Sequence, residues 1–143
     1  MDKRGLKVFL RKLDLIDGEY VLFGGSCLAI RGLRDLNDVD LFVTKRLYKL
    51  LTARGWQEKS EPGGAPYLTT RIAGVTIDAV ADWLGDGWQP NIQSYLRHPE
   101  IIDGLRFMPL KDLYEWKKAT RRPKDIIDMS LIEKYWAHYP EAH

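Results

Sequence analysis

Residues 20–43 read YVLFGGSCLAIRGLRDLNDVDLFV, and this stretch decides the fold. The apolar run Tyr20–Phe23 predicts a short buried strand. Gly24-Gly25-Ser26 then makes a tight turn into a helix that runs to about Arg31. Asp38 to Val43 predicts a second strand. Asp38 and Asp40 lie two apart on it, so both carboxylates project from one face while Val39, Leu41 and Val43 project from the other. Two ionised carboxylates this close repel each other, and neither is buried cheaply without a compensating cation. A divalent metal supplies that compensation, and oxygen-only ligands favour Mg²⁺ or Mn²⁺ over zinc.

An isolated Asp-x-Asp is more often a solvated strand end. The glycine turn one helix upstream changes that reading. Glycines there let a phosphate approach the backbone, and the helix start favours an anion. Ser26 either caps the helix or donates its hydroxyl to a phosphate. Together the two features set an anion site beside a metal site, the arrangement that a nucleoside triphosphate with Mg²⁺ requires.

Outward from this segment, Leu6, Phe9, Leu10 and Leu13 recur at helical spacing within residues 3–16, and Asp17-Gly18 ends that helix. A basic helix is expected from about Arg46 to Arg54, ended by Gly55. Residues 67–72 and 75–80 flank Ala73-Gly74 as a hairpin. Asp78 sits in the middle of the second of these strands, in an apolar run where a lone carboxylate is costly unless paired or metal-bound. It is the preferred third carboxylate, able to act as general base on an acceptor hydroxyl; Asp82, on the same face and nearer the strand end, is the competing choice. A short helix around 91–97, a last strand over 101–108, and helices opened by Pro109 and by Pro123 complete the chain. This order predicts an α/β (α+β) domain with flanking helices on a mixed central sheet.

Of the 143 residues, 45% are hydrophobic and 29% charged, values that exclude a wholly disordered chain and suit one domain: an N-terminal helix in 1–19, a sheet core in 20–108 and C-terminal helices in 109–143. One cysteine excludes a disulfide framework and a Cys-rich zinc module, and fits a reducing cytoplasm. No apolar run approaches the roughly 20 residues that span a bilayer, and the start MDKRGLKVFLRKLDL lacks the apolar core of a secretory signal. The expectation is a cytoplasmic protein with no membrane partner. A net charge of +2 gives no global argument for nucleic-acid binding.

These residues resemble the nucleotidyltransferase (polymerase-β-like) superfamily, whose pattern is a Gly-Gly/Ser turn, a helix, Asp-x-Asp on a strand, then a third Asp on a later strand. Gly24, Gly25, Ser26, Asp38, Asp40 and Asp78 match it in order. More narrowly, the chain is similar to small bacterial members related to abortive-infection toxins of toxin–antitoxin systems. Arg34 matches an Arg shortly before the Asp pair; Lys117, Arg122-Pro123-Lys124-Asp125 and Asp128 match a downstream block. The resemblance spans about residues 20–135. It implies transfer of a nucleotide from a Mg²⁺–NTP, with ATP as the default, to a hydroxyl acceptor with release of pyrophosphate. Asp38, Asp40 and Asp78 are then the catalytic and metal-holding residues. Gly24, Gly25, Ser26, Arg34, Lys117 and Lys124 are the nucleotide-binding ones. The implied acceptor is tRNA, a protein or a small molecule, and the implied partner an antitoxin.

Lys111 to Lys124 holds six basic and two acidic residues, and the first twelve hold five and one. Most of these belong to solvated helix faces. Asp125 and Asp128, three apart on one helical face, are as readily paired with Lys118 or Arg122 as catalytic. Cys27 reads as a packing residue, and His98, His138 and His143 are too scattered for a metal site. Trp83 and Trp88 flank a Gly-rich loop where they would pack together or stack on a base. Two rivals to an enzyme remain: a non-catalytic nucleotide-binding protein of the same fold, and an RNA- or antitoxin-binding module.

Overall fold

The computed structural model describes residues 1–143. The expected strand–turn–helix–strand forms its centre: β1 (Tyr20–Phe23), α2 (Ser26–Ala29) and β2 (Val39–Val43), preceded by α1 (Lys3–Leu13). Helix α3 (Lys45–Ala53) follows, capped by the Thr44 side chain, which accepts from the Leu47 N–H. Then come β3 (Gln57–Lys59), β4 (Tyr67–Ile72), β5 (Val75–Val80) and α4 (Ile92–Arg97), then β6 (Glu100–Ile102) and β7 (Leu105–Phe107). Helices α5 (Leu110–Thr120) and α6 (Pro123–His138) end the fold, with a final 3-10 turn at Pro140–Ala142.

The seven strands make one mixed sheet in the order β3-β4-β5-β2-β1-β7-β6. β1 runs antiparallel to β2, and β2 runs parallel to β5. Val39, Leu41 and Val43 of β2 are buried, as are Ile77 and Ala79 of β5, so the predicted alternation puts their odd-numbered side chains into the core. Leu6, Phe9, Leu10 and Leu13 of α1 and Leu47 and Leu51 of α3 join that core.

Four local expectations need correction. α1 stops at Leu13 rather than 16, because Asp14 takes a left-handed conformation (φ 49°). β2 starts at Val39, so Asp38 lies on the turn just before it. Residues 101–108 are not one strand: Asp103 and Gly104, both at positive φ, fold them into the β6/β7 hairpin. Pro109 is the N-cap of α5 rather than its first turn. No helix is long and apolar enough to cross a membrane.

Candidate active site

The end of the sheet at which β1 turns into α2 carries a cleft of about 590 Å³. Gly24 and Gly25 form its floor beside Asp38 and Asp40, and Arg34, Lys117 and Lys124 supply positive charge to its walls. Seven of the nine residues expected from the sequence therefore line one cavity. Gly24 is obligatory there. Its φ is +71°, and a Cβ would stand 3.2 Å from the Asp40 carboxylate. Gly25 has an ordinary backbone, but a Cβ on it would lie 2.8 Å from Leu36 Cδ1 and 3.2 Å from the Arg34 guanidinium.

Ser26 and Asp78 are not on the cleft wall. Ser26 is fully buried, the N-cap of α2 is Gly25, and the Ser26 hydroxyl has no hydrogen-bond partner. Asp78 lies directly opposite Asp40 across the β2/β5 pair. Partners in such a register share a face and stand roughly 5 Å apart. Asp78 Oδ1 is buried and accepts no hydrogen bond. Asp82 is exposed beyond the end of β5 and sits in no comparable pairing.

The electrostatics follow from this placement. Burial pushes the Asp40 carboxyl up to about 7, and the neighbouring Asp78 and Asp38 charges push the same way; Lys124 and Lys117 pull it back only in part. The orphaned Asp78 oxygen and the raised Asp40 mark a site short of positive charge. An all-oxygen donor set with that deficit fits a hard divalent cation. No three His, Cys, Asp or Glu side chains close into a metal cage. Mg²⁺ at nucleotide sites is held by one or two carboxylates plus substrate phosphates and water, so the carboxylate pair matches the donor set it takes from protein.

The opposite wall is a saturated ion-pair network. Arg34 donates to both oxygens of Asp128, from Nε at 2.8 Å and from an Nη at 3.0 Å. Lys117 Nζ lies 2.8 Å from Asp128 and 3.3 Å from Asp125. Asp125 also accepts from the Arg122 guanidinium, the Arg122 backbone N–H and the Thr120 hydroxyl. Burial alone would raise both acids, but these partners hold Asp125 and Asp128 below the usual carboxylate range. Lys118, one of the expected partners, takes no part. Lys117 is itself buried and held by two carboxylates, whereas Lys124 is exposed.

The remaining wall is aromatic. Trp83 and Trp116 line the cleft with Phe23. Trp83 meets Trp116 edge-on at 5.5 Å between centroids, and Trp88 stacks on Trp116 at 5.7 Å, so Trp88 packs behind the wall. Trp116, Asn37 and Ile127 are cleft residues that the sequence reading missed. Each had a signal: Trp116 and Asn37 adjoin Lys117 and Asp38, and Ile127 is an apolar residue between Asp125 and Asp128.

Comparison with protein-family models gave no match, and comparison with curated protein sequences gave none either. Among solved structures, the crystal structure of a candidate nucleotidyltransferase from Thermotoga maritima is similar, with a TM-score of 0.60. The likeness covers 96% of this chain and 96% of that one, at 14% identity. The chain has a nucleotidyltransferase-like fold. At this identity the likeness concerns the path of the backbone and leaves the chemistry to the side chains described above.

Proposed function

We propose that the protein is a nucleotidyltransferase that moves a nucleotide from a Mg²⁺–NTP to a hydroxyl acceptor and releases pyrophosphate. The observation that carries this reading is the Asp40–Asp78 pairing beside the glycine turn, two half-buried carboxylates with no ion-pair partner at the edge of a cleft that Lys124 shares.

In this reading Asp40 and Asp38 hold the cation, with Asp78 completing the acidic set. When bound, the cation offsets the carboxylate charge and draws the triphosphate oxygens toward the sheet. Gly24 and Gly25 let the phosphates approach the backbone, and Ser26 lies behind that turn. Lys124, exposed and unpaired, stabilises charge as it gathers on the leaving pyrophosphate, while Arg34 is held on Asp128 beside it. Asp78 accepts the acceptor's proton while that oxygen bonds the α-phosphorus and pyrophosphate leaves with the electron pair. Trp83, Trp116 and Ile127 offer apolar surface to the base or ribose. ATP is the default donor. A role as the toxin of a toxin–antitoxin pair belongs to the same proposal, and its support is the match of Arg34, Lys117 and residues 122–128 to the toxin-related block.

The test is turnover. The protein is incubated with each labelled NTP, Mg²⁺ and acceptors that include total tRNA, beside an Asp40→Ala control. Label transfer with pyrophosphate release by the wild type alone supports the enzyme. NTP binding without transfer to any acceptor favours the non-catalytic alternative, and equal transfer by Asp40→Ala contradicts the metal assignment.

A further inference from the structure

Gly25 is restricted to glycine by its neighbours rather than by its own backbone. Its φ of −59° and ψ of −25° are open to any residue. The space a side chain would need is already taken. A Cβ there would stand 2.8 Å from Leu36 Cδ1 and 3.2 Å from both Nη1 and Nη2 of Arg34. Leu36 is buried and held through its backbone, which exchanges two hydrogen bonds with Met1. Arg34 is different. Its side chain is long, rich in rotamers and 34% exposed, so it keeps one position against the turn only if something grips it.

The grip is Asp128. Arg34 gives Nε to one carboxylate oxygen at 2.8 Å and Nη2 to the other at 3.0 Å, a fork that fixes the plane of the guanidinium. Asp128 is almost wholly buried, and Lys117 Nζ backs it at 2.8 Å while also holding Asp125. The guanidinium therefore stands on a rigid base in α6. At its other end Nη1 donates to the Asp35 carbonyl at 3.1 Å, three residues before Asp38. One planar group thus touches the glycine turn and the segment that leads into the Asp-x-Asp pair, and a carboxylate 94 residues away sets its orientation.

We propose that Arg34 and Asp128 are positioning residues of the cleft: Asp128 orients the Arg34 guanidinium, and the guanidinium sets the glycine turn and the approach to Asp38. The inference rests on the nucleotidyltransferase reading for what the turn binds, and on the contacts above for what holds the turn. It replaces the direct nucleotide contact that the sequence pattern suggests for Arg34. A guanidinium already neutralised by a bidentate carboxylate brings little net charge to a triphosphate, whereas Lys124 has no such partner. Placement is what Arg34 offers instead, and a misplacement of about 1 Å in a site of this kind costs on the order of a hundredfold in rate. The two roles predict opposite behaviour. If Arg34 touched phosphate, Arg34→Lys would keep the charge and much of the affinity, and Asp128→Asn would free the guanidinium and tighten binding. As positioning residues the two act in series, so either substitution loosens the same turn and the second adds nothing to the first.

The experiment has two readouts on the full-length protein. Amide NMR without nucleotide follows Gly24, Gly25 and Asp38 in the wild type, in Arg34→Lys, in Asp128→Asn and in the double variant. Calorimetric titration with Mg²⁺–ATP follows the same four proteins. The turn and Asp38 signals are expected to shift and broaden in every variant. Each single variant should bind Mg²⁺–ATP roughly tenfold more weakly, and the double variant no more weakly than either single one. Leu51→Val on α3, a core change away from the cleft, separates general loss of stability from loosening of the turn and should leave both readouts as in the wild type. Arg34→Lys alters a partly exposed side chain and keeps the fold, so it decides the matter alone if Asp128→Asn does not fold. Unchanged turn signals in Arg34→Lys overturn the inference. So does tighter binding by Asp128→Asn, or a double variant in which the two losses multiply. Disturbed turn signals in the variants, with no Mg²⁺–ATP binding in the wild type, uphold the link from Asp128 to the turn and remove the nucleotidyltransferase reading instead.

Discussion

Two pairs of aspartates lie in or beside one cleft, and their surroundings are opposite. Asp125 and Asp128 on α6 are almost wholly buried, yet Arg34, Lys117, Arg122 and Thr120 satisfy them. Asp40 and Asp78 sit opposite each other on adjacent strands with no ion-pair partner, and an Asp78 oxygen accepts nothing. Burial lifts Asp40 to about 7, while partners outweigh burial and hold Asp125 and Asp128 low. The difference separates two uses of a carboxylate. The α6 pair carries its counter-charge within the fold and ties α5, α6 and the Arg34 segment together. The sheet pair has no ion-pair partner, only the partial pull of Lys124 and Lys117 on Asp40, and under the proposed function a ligand supplies the rest.

The comparison breaks most readily at Asp125. Asp125→Ala breaks a buried ion pair and takes the acceptor from the Thr120 hydroxyl and the Arg122 N–H, although Lys117 keeps Asp128, so it is expected to destabilise the fold by about 3–5 kcal/mol in urea denaturation. Asp40→Asn removes a charge that Lys124 and Lys117 offset only in part, so the same measurement should show no loss of stability. A cost at Asp40 as large as that at Asp125 would erase the distinction.

Acid sharpens it. The α6 carboxylates titrate below their ordinary values in the folded chain. Their contribution is therefore fully present above about pH 4, the unfolded carboxylate range, and is lost as pH falls through the folded values. Denaturation of wild type and Asp125→Asn at neutral pH should differ widely, and the gap should narrow in acid. A gap that stays constant would contradict the network.

A smaller effect is expected at Gly25, where a methyl group would meet Leu36 Cδ1 at 2.8 Å. Gly25→Ala is expected to cost about 1–3 kcal/mol as Leu36 and Arg34 give way. Because Leu36 leads into Asn37 and Asp38, the substitution should weaken Mg²⁺–NTP binding as well. Calorimetric titration that finds unchanged affinity would show that the turn does not shape the site.

The core of this picture was legible in residues 20–43, because a strand, a glycine turn and alternating buried residues are local signals. Asp78 was legible for a similar reason, as a charge in an apolar run. β3 was not: Gln57–Lys59 is short, wholly exposed and without periodicity, so it is a strand only because β4 pairs with it. The β6/β7 hairpin was written in Asp103-Gly104, but the apolar residues on either side read as one strand. Of the α6 network only the Arg122–Asp125 pair, three residues apart, had a local signature. Arg34 and Asp128 are 94 residues apart, and only the folded chain makes them a bidentate pair. The sequence likewise could not reveal that Lys117 is held by two buried acids while Lys124 stands free.

The central claim is that Asp40 and Asp78 lack a counter-charge that Mg²⁺–nucleotide supplies. Thermal unfolding of wild type and Asp40→Asn, each with Mg²⁺–ATP and with ATP plus EDTA, tests it directly. Ligand at a hundredfold excess over its Kd stabilises the folded state by about 2.7 kcal/mol, so the wild-type Tm should rise in Mg²⁺–ATP and fall back in EDTA. The Asp40→Asn Tm should stay put in both. Equal shifts in the two proteins, or no shift in the wild type with any NTP, would contradict the account.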